Sequence, residues 1–275
     1  MKVKILWLFI IAHFLFCTSI YAQPSGKCNA VRSARVLIIQ DELQQMEVLS
    51  KFLSDNQEDL DIDIVKQNNL PEDLRMFHAI IVYLHFRLHE ETEAKIIDYT
   101  NKGGRLIVLH HSISSGKARN KNFFPFLGVQ LDGTNNSRDP EPPGGGYVWI
   151  EGVTFTLVNL NPDHCVINHN VEWGEEINYT PSDVINPGSS YPTISLHDSE
   201  VYLNHKFTDD SDKTILMGLK FYDIRNDQLF MQDRASWYKI AGEGDIFYFM
   251  PGHSSREFEN ENFAQMILNA INYTR

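Results

Sequence analysis

Apolar residues follow two rhythms along this chain, and the change between them near the midpoint predicts the architecture. In the first half, short unbroken apolar runs alternate with amphipathic stretches. Arg35-Val36-Leu37-Ile38-Ile39-Gln40 is the kind of run that forms a strand covered on both faces. Behind a candidate cap at Asp41, the segment from Glu42 to Leu53 places Leu43, Met46, Leu49, Phe52 and Leu53 at helical spacing. Leu60 to Val65 alternates as a second strand, and Ala79 to Tyr83 forms a third. Glu90 to Asn101 reads as a helix that Gly103-Gly104 stops. Arg105 to Leu109 is then a fourth strand, running into His110-His111-Ser112.

Strands separated by helices predict an α/β fold: a three-layer, open, mostly parallel sheet with helices on both faces. Such sheets bind ligands at the carboxyl ends of their strands. That rule puts His110, His111 and the turns near Gln40 and Tyr83 on one rim.

From Tyr147 onward the apolar runs read as added β segments of the C-terminal half. These cover Val148 to Val158, Thr193 to Leu196, Val201 to Phe207, Ile215 to Tyr222, Ser236 to Ile240 and Asp245 to Met250. Gly242-Glu243-Gly244 joins the last two as a hairpin. Asn260 to Asn272 is a closing amphipathic helix with Phe263, Met266, Ile267, Ala270 and Ile271 on its buried side. Between the halves, Asp132 to Gly146 is rich in Gly, Pro, Asn and Asp and reads as a long surface loop. With no repeat and no linker, residues 23–275 are expected to form a single domain.

The first residues change the picture of where the chain works. Lys2 and Lys4 precede an apolar run from Ile5 to Phe16, and Ala22 supplies a small residue for cleavage. Residues 1–22 are therefore expected to be a signal peptide, sending the mature protein to the periplasm or outside the cell. The run is shorter than the roughly 20 residues that span a bilayer. No membrane partner is then expected after cleavage. A retained anchor is one alternative, and lipid attachment at Cys17 another, although bulky Phe16 precedes it.

Charge narrows the partners. The net charge is −12, and basic clusters are absent from the sequence, so phosphate backbones are repelled and nucleic acid is not an expected partner. Neutral sugars and cationic groups fit that charge. Cys28 and Cys165 form either a disulfide or two free thiols, and their spacing does not choose between these. No C-x-x-C pair exists, which excludes a thiolate zinc site of the usual spacing.

Two segments carry a family resemblance. Tyr99 to His110 combines helix, double glycine, strand and strand-end histidine; Ser236 to His253 combines Trp237, the Gly-x-Gly hairpin, Phe247-Tyr248 and Gly252-His253. Together they resemble the ThuA-like (trehalose utilisation) family over about residues 35 to 273. The resemblance implies a class I glutamine amidotransferase-like (flavodoxin-like) fold and a role in carbohydrate metabolism. Where amidotransferases carry a nucleophilic cysteine this chain has His110, so cysteine-dependent amidotransferase chemistry is not expected. The chain departs from the family at Gln40-Asp41-Glu42, where a histidine-containing turn is usual, and at Tyr238-Lys239 after Trp237.

The candidate chemistry follows. His110 and His253 are expected as a catalytic pair, or as ligands of a divalent metal, with Glu176 assisting. His111, Tyr179 and Trp237 are the candidate substrate-binding residues, for a small-molecule carbohydrate. The plainer alternatives are a hydrogen-bonded structural His110, a solvated Glu175 and core aromatics. The corresponding functions are a hydrolase, lyase or isomerase acting on a sugar or oxidised sugar, or a non-catalytic carbohydrate-binding or interaction domain. His85, His89, His164, His169, His197 and His205 show no ligand spacing, and Ser112 lacks the glycines of a nucleophile elbow.

Overall fold

A computed structural model describes residues 26–132, 146–181, 188–208 and 213–275. The expected signal peptide, and all but the ends of the expected 132–146 loop, lie outside these residues. The chain begins with a two-residue strand, β1 (Lys27–Cys28), followed by β2 (Ala34–Gln40), α1 (Leu43–Asn56), β3 (Leu60–Val65), β4 (Ala79–Tyr83), α2 (Glu90–Asn101) and β5 (Arg105–Leu109). Next come α3 (Phe123–Leu127), β6 (Val129–Gln130), β7 (Val148–Asn159), α4 (Cys165–Asn168), β8 (Glu176–Tyr179), β9 (Ser189–Leu203) and β10 (Lys206–Phe207). The chain closes with β11 (Lys213–Asp223), β12 (Gln228–Ala241), β13 (Gly244–Phe249), α5 (Ser255–Phe258), α6 (Glu261–Asn272) and β14 (Tyr273–Thr274).

Ten strands form one sheet in the order β3-β2-β4-β5-β13-β12-β11-β7-β9-β8. Pairing is parallel from β3 through β13 and antiparallel from β13 to β8. The sheet is therefore mixed, which corrects the expectation of a mostly parallel one. The reason is connectivity. Helix crossovers return the chain to the same end of the sheet, whereas a tight hairpin such as Gly242-Glu243 reverses it. Right-handed crossovers leading in opposite directions, β2 to β3 and β4 to β5, put α1 and α2 on opposite faces. α1 packs with α5 and α6, while α2 packs with α3.

Several segments form as the pattern predicts because burial and periodicity agree. All five residues of β4 and of β5 are buried, as in a strand covered on both faces. The expected segments around 193–207 instead form one 15-residue strand, β9, and a separate short β10. Asp41 does not cap α1. Glu42 holds that position without a side-chain cap, and the Asp41 carboxylate instead accepts hydrogen bonds from the backbone N–H groups of His85 and Phe86, at 2.7 and 2.9 Å.

The ends of the domain are tied together. β1 pairs with β14, and Cys28 forms a disulfide with Cys165, their Cα atoms 5.8 Å apart. Among the described residues no helix is long and apolar enough to cross a membrane.

Candidate active site

The parallel register of β5 and β13 builds the centre of the site. At their amino ends Arg105 stands opposite Asp245, joined by a buried ion pair of 3.1 Å. Tyr238 Oη donates to the same Asp245 carboxylate at 2.8 Å. With that register fixed, Leu109 pairs with Phe249 at the other end. Residues 110 and 250 then leave the sheet side by side. His110 Nδ1 lies 2.7 Å from the Met250 carbonyl, and the His110 and His253 ring centroids are 5.7 Å apart.

Backbone conformation allows this approach. His110 turns with φ +48, a left-handed conformation uncommon outside glycine, though histidine adopts it more readily than most residues, and one that concentrates at functional sites. Gly252, at φ +131, passes so close that a Cβ there would stand 3.2 Å from His110 Cβ and 2.9 Å from Phe258. Tyr83 Oη anchors the turn by donating to the Gly252 carbonyl at 2.6 Å.

The carboxylate of this centre is Glu200. Its Oε2 lies 2.9 Å from His110 Nε2 and 3.4 Å from His253 Nδ1, and it accepts from Tyr202 Oη at 2.8 Å. Glu200 and Tyr202 lie two apart on β9, so both side chains project from one face. Across the ladder stand Glu151 and Trp149 of β7, in register with Glu200 and Tyr202. Like-charged Glu151 and Glu200 facing each other would be unfavourable alone; the histidines beside Glu200 offset this. Glu257 of α5 fastens the assembly, accepting from His253 N–H at 2.6 Å and from Ser199 Oγ at 2.7 Å.

Electrostatics separate the roles of these groups. Burial alone would raise the Glu200 pKa, but hydrogen bonds from His110, His253 and Tyr202 prevail and hold it well below the carboxylate range. The His110 ring bridges the Met250 carbonyl and the Glu200 carboxylate, one through each ring nitrogen. The Glu200 hydrogen bond raises the His253 pKa above its ordinary 6.5, against an opposing effect of burial. His253 is the partly exposed member of the pair, with 33% of its side chain accessible.

These groups floor a 570 Å³ pocket. Its rim carries Trp149 and Phe86, 52% and 69% exposed, together with Arg87 and Arg119. Its second wall holds His111, His85 and Glu42. His111 is buried, and its ring stacks edge-on against Tyr83 at 4.5 Å. Burial, reinforced by nearby positive groups, drives its pKa far down, so the ring is neutral.

Of the residues expected at the site, the structure brings together His110, His111 and His253. Glu176, Tyr179 and Trp237 do not line this pocket. Glu176 is exposed on β8 and accepts from Ser190 Oγ at 2.7 Å. Tyr179 is buried, with its hydroxyl donating to Asp233 at 2.8 Å. Trp237 is fully buried and packs on Tyr248. Sequence reasoning missed Glu200, Tyr202, Trp149, His85 and Glu42. The alternation Glu200-x-Tyr202 inside an apolar strand was the available signal, because a carboxylate on a buried face needs partners.

The comparisons with known proteins agree with this architecture. The family model ThuA, described as trehalose utilisation, matches residues 35–274. A ThuA-like protein from Bacteroides uniformis superimposes with a TM-score of 0.58 at 16% identity, covering 89% of this chain and 92% of that one. That likeness shows a shared fold. A β-galactosidase from Bacillus circulans sp. alkalophilus reaches 0.49 at 10% identity, covering 87% of this chain and 31% of its own. A GMP synthase component from Thermoplasma acidophilum reaches 0.42 at 9% identity, covering 86% and 96%. These two likenesses are too slight to carry an argument. Among curated proteins there is no significant match.

Proposed function

We propose that this chain, which belongs to the ThuA (trehalose utilisation) family, is an exported enzyme that moves a proton on a sugar or oxidised sugar bound above His253. Family membership supplies the setting of carbohydrate utilisation. The observation that carries the rest is the Glu200 carboxylate held between His110 and His253 on the floor of an open pocket.

The chemistry follows from who can exchange a proton. Glu200 is held ionised by three donors, so it serves neither as an acid nor as the unencumbered carboxylate of a glycosidase pair. His253 is the exchanging group: partly exposed, with its basicity raised by Glu200. In its neutral form it takes a proton from the carbon beside a sugar carbonyl. Glu200 stabilises the imidazolium so formed. Return of the proton to the former carbonyl carbon, with the hydroxyl proton passing from one oxygen of the enediolate to the other, gives an isomerase; loss of a β-hydroxyl as water, carrying off the proton that His253 took from carbon, gives a lyase. Trp149 and Phe86 offer faces for the apolar side of a pyranose ring, while Arg87 and Arg119 suit the oxygens of an oxidised sugar.

Export is supported by the charged-then-apolar leader and by the Cys28–Cys165 disulfide, a bond that persists in oxidising compartments. The same reading takes the parallel half of the sheet as glutamine amidotransferase-like. The left-handed turn at His110, at the end of a central strand, supports that assignment.

A panel of unmodified and oxidised disaccharides tests the proposal. Turnover of one of them is expected, falling about 100-fold or more in His253→Ala with the thermal transition nearly unchanged. Trp149→Ala is expected to raise KM more than it lowers kcat. Saturable sugar binding without turnover would instead favour a carbohydrate-binding domain, and His253→Ala with full activity would remove that residue from the mechanism.

A further inference from the structure

We infer that Glu42, His85 and His111 form a site for one divalent transition-metal ion on the second wall of the pocket. Each offers one ligand atom, and the three atoms lie within 4.8 Å of one another. His85 Nδ1 is 3.8 Å from Glu42 Oε1, and His111 Nε2 is 3.9 Å from Glu42 Oε2. Those separations are too long for hydrogen bonds. They are close to the roughly 3.4 Å between neighbouring ligand atoms of a tetrahedral zinc ion with bonds near 2.1 Å. A second observation points the same way. His111 Nε2 is buried and finds no hydrogen-bond partner among the described residues, which an interior ring nitrogen rarely tolerates.

The surroundings are built to hold these ligands. Lys117 is fully buried, and its Nζ donates to the carbonyls of both His85 and His111, at 2.6 and 2.7 Å, and lies 3.2 Å from Ser114 Oγ. One side chain thus pins the backbones of two ligands from different loops. Asp41 fixes the other side of the His85 turn through its backbone N–H. Gln45 Nε2 donates to Glu42 at 3.4 Å. Such outer partners are what orient metal ligands.

The neighbouring trio His110, Glu200 and His253 also clusters within 4.8 Å, but its atoms are already committed. Both His110 ring nitrogens already lie at hydrogen-bonding distance from protein oxygens, the Met250 carbonyl and the Glu200 carboxylate. Two imidazoles and one carboxylate suit Zn²⁺, or Co²⁺, Mn²⁺ and Fe²⁺ in an open coordination sphere. Because all three ligands line the pocket, the remaining positions open towards it.

The test is independent of any sugar substrate. Tag-free, disulfide-bonded protein is titrated with Co²⁺ and read by visible d–d absorption and calorimetry, with Zn²⁺ as competitor. One equivalent is expected to bind, with displacement by Zn²⁺. Glu42→Gln and His85→Ala, both at accessible positions, are each expected to weaken binding at least about ten-fold, while His253→Ala leaves it unchanged. Absence of saturable binding in wild type overturns the inference. Binding that survives both ligand changes, or that vanishes in His253→Ala, does so equally.

Discussion

His110 Nε2 and Glu200 Oε2 lie 2.9 Å apart although 90 residues separate them in the chain, and this contact joins the two halves of the fold. His110 follows the end of a parallel strand, and Glu200 lies near the carboxyl end of a long antiparallel one. The negative charge held there sets the behaviour of His253 on its other side. Glu200→Gln removes that charge and keeps the shape. The His253 titration midpoint, followed by NMR of the ring protons, is expected to fall, because the Glu200 hydrogen bond and charge are what raise it. An unchanged midpoint would show that Glu200 does not control His253.

The disulfide should dominate the stability of the N-terminal segment. Cys28 and Cys165 close a loop with a sequence separation of 137, for which loop-closure entropy gives roughly 3–5 kcal/mol. Cys28→Ser and Cys165→Ser are each expected to lower Tm by a similar amount, and the double variant by no more than either. Additive losses would mean that the two residues act separately.

Gly252 is required by the approach of His110. At φ +131, with a new Cβ only 2.9 Å from Phe258 and 3.2 Å from His110, Gly252→Ala combines backbone strain with overlap. A cost of about 1–3 kcal/mol is expected, together with a displaced His110 ring. Calorimetry measures the first, and the chemical shifts of the His110 ring the second. A variant as stable as wild type, with an unmoved ring, would contradict this packing account.

Acid should unfold the protein earlier than its carboxylates alone would require. Burial holds His164 and His205 neutral, lowering their pKa values from 6.5 to about 4 and about 3. An unfolded chain protonates both near 6.5, so below that pH the unfolded state binds more protons and folded stability declines. Glu200 adds to the loss below about 4.5, because its folded pKa is depressed. His253 acts oppositely: its raised pKa stabilises the fold below 6.5, and that contribution disappears as pH rises through its folded value. His164→Asn keeps an acceptor for the Val166 N–H and removes one titration. The variant is expected to lose roughly 2 kcal/mol less stability than wild type between pH 7 and 4.5. Equal losses, measured by denaturant unfolding at each pH, would exclude His164 as a contributor.

Local patterning made much of the fold legible. β3, β4, α2 and β5 begin and end where periodicity and the Gly103-Gly104 stop put them. The strand-end rule brought His110 and His111 to one rim. Strand direction in the second half was less legible, because an apolar run reads the same in a parallel and an antiparallel ladder. Glu176 and Glu200 illustrate the same limit: both are acids in β segments, yet one is solvated beside Ser190 and the other is clasped by two histidines and a tyrosine.

The sequence alone determined the alternation of strands and helices, the closing helix, the family and the identity of two of the histidines, since each depends on neighbouring residues or on order along the chain. Tertiary structure decided which carboxylate meets those histidines, that Cys28 reaches Cys165, and that Glu42, His85 and His111 face one another. Those contacts join segments tens to more than a hundred residues apart. They are fixed by sheet order and ladder register, which arise only when the whole chain packs.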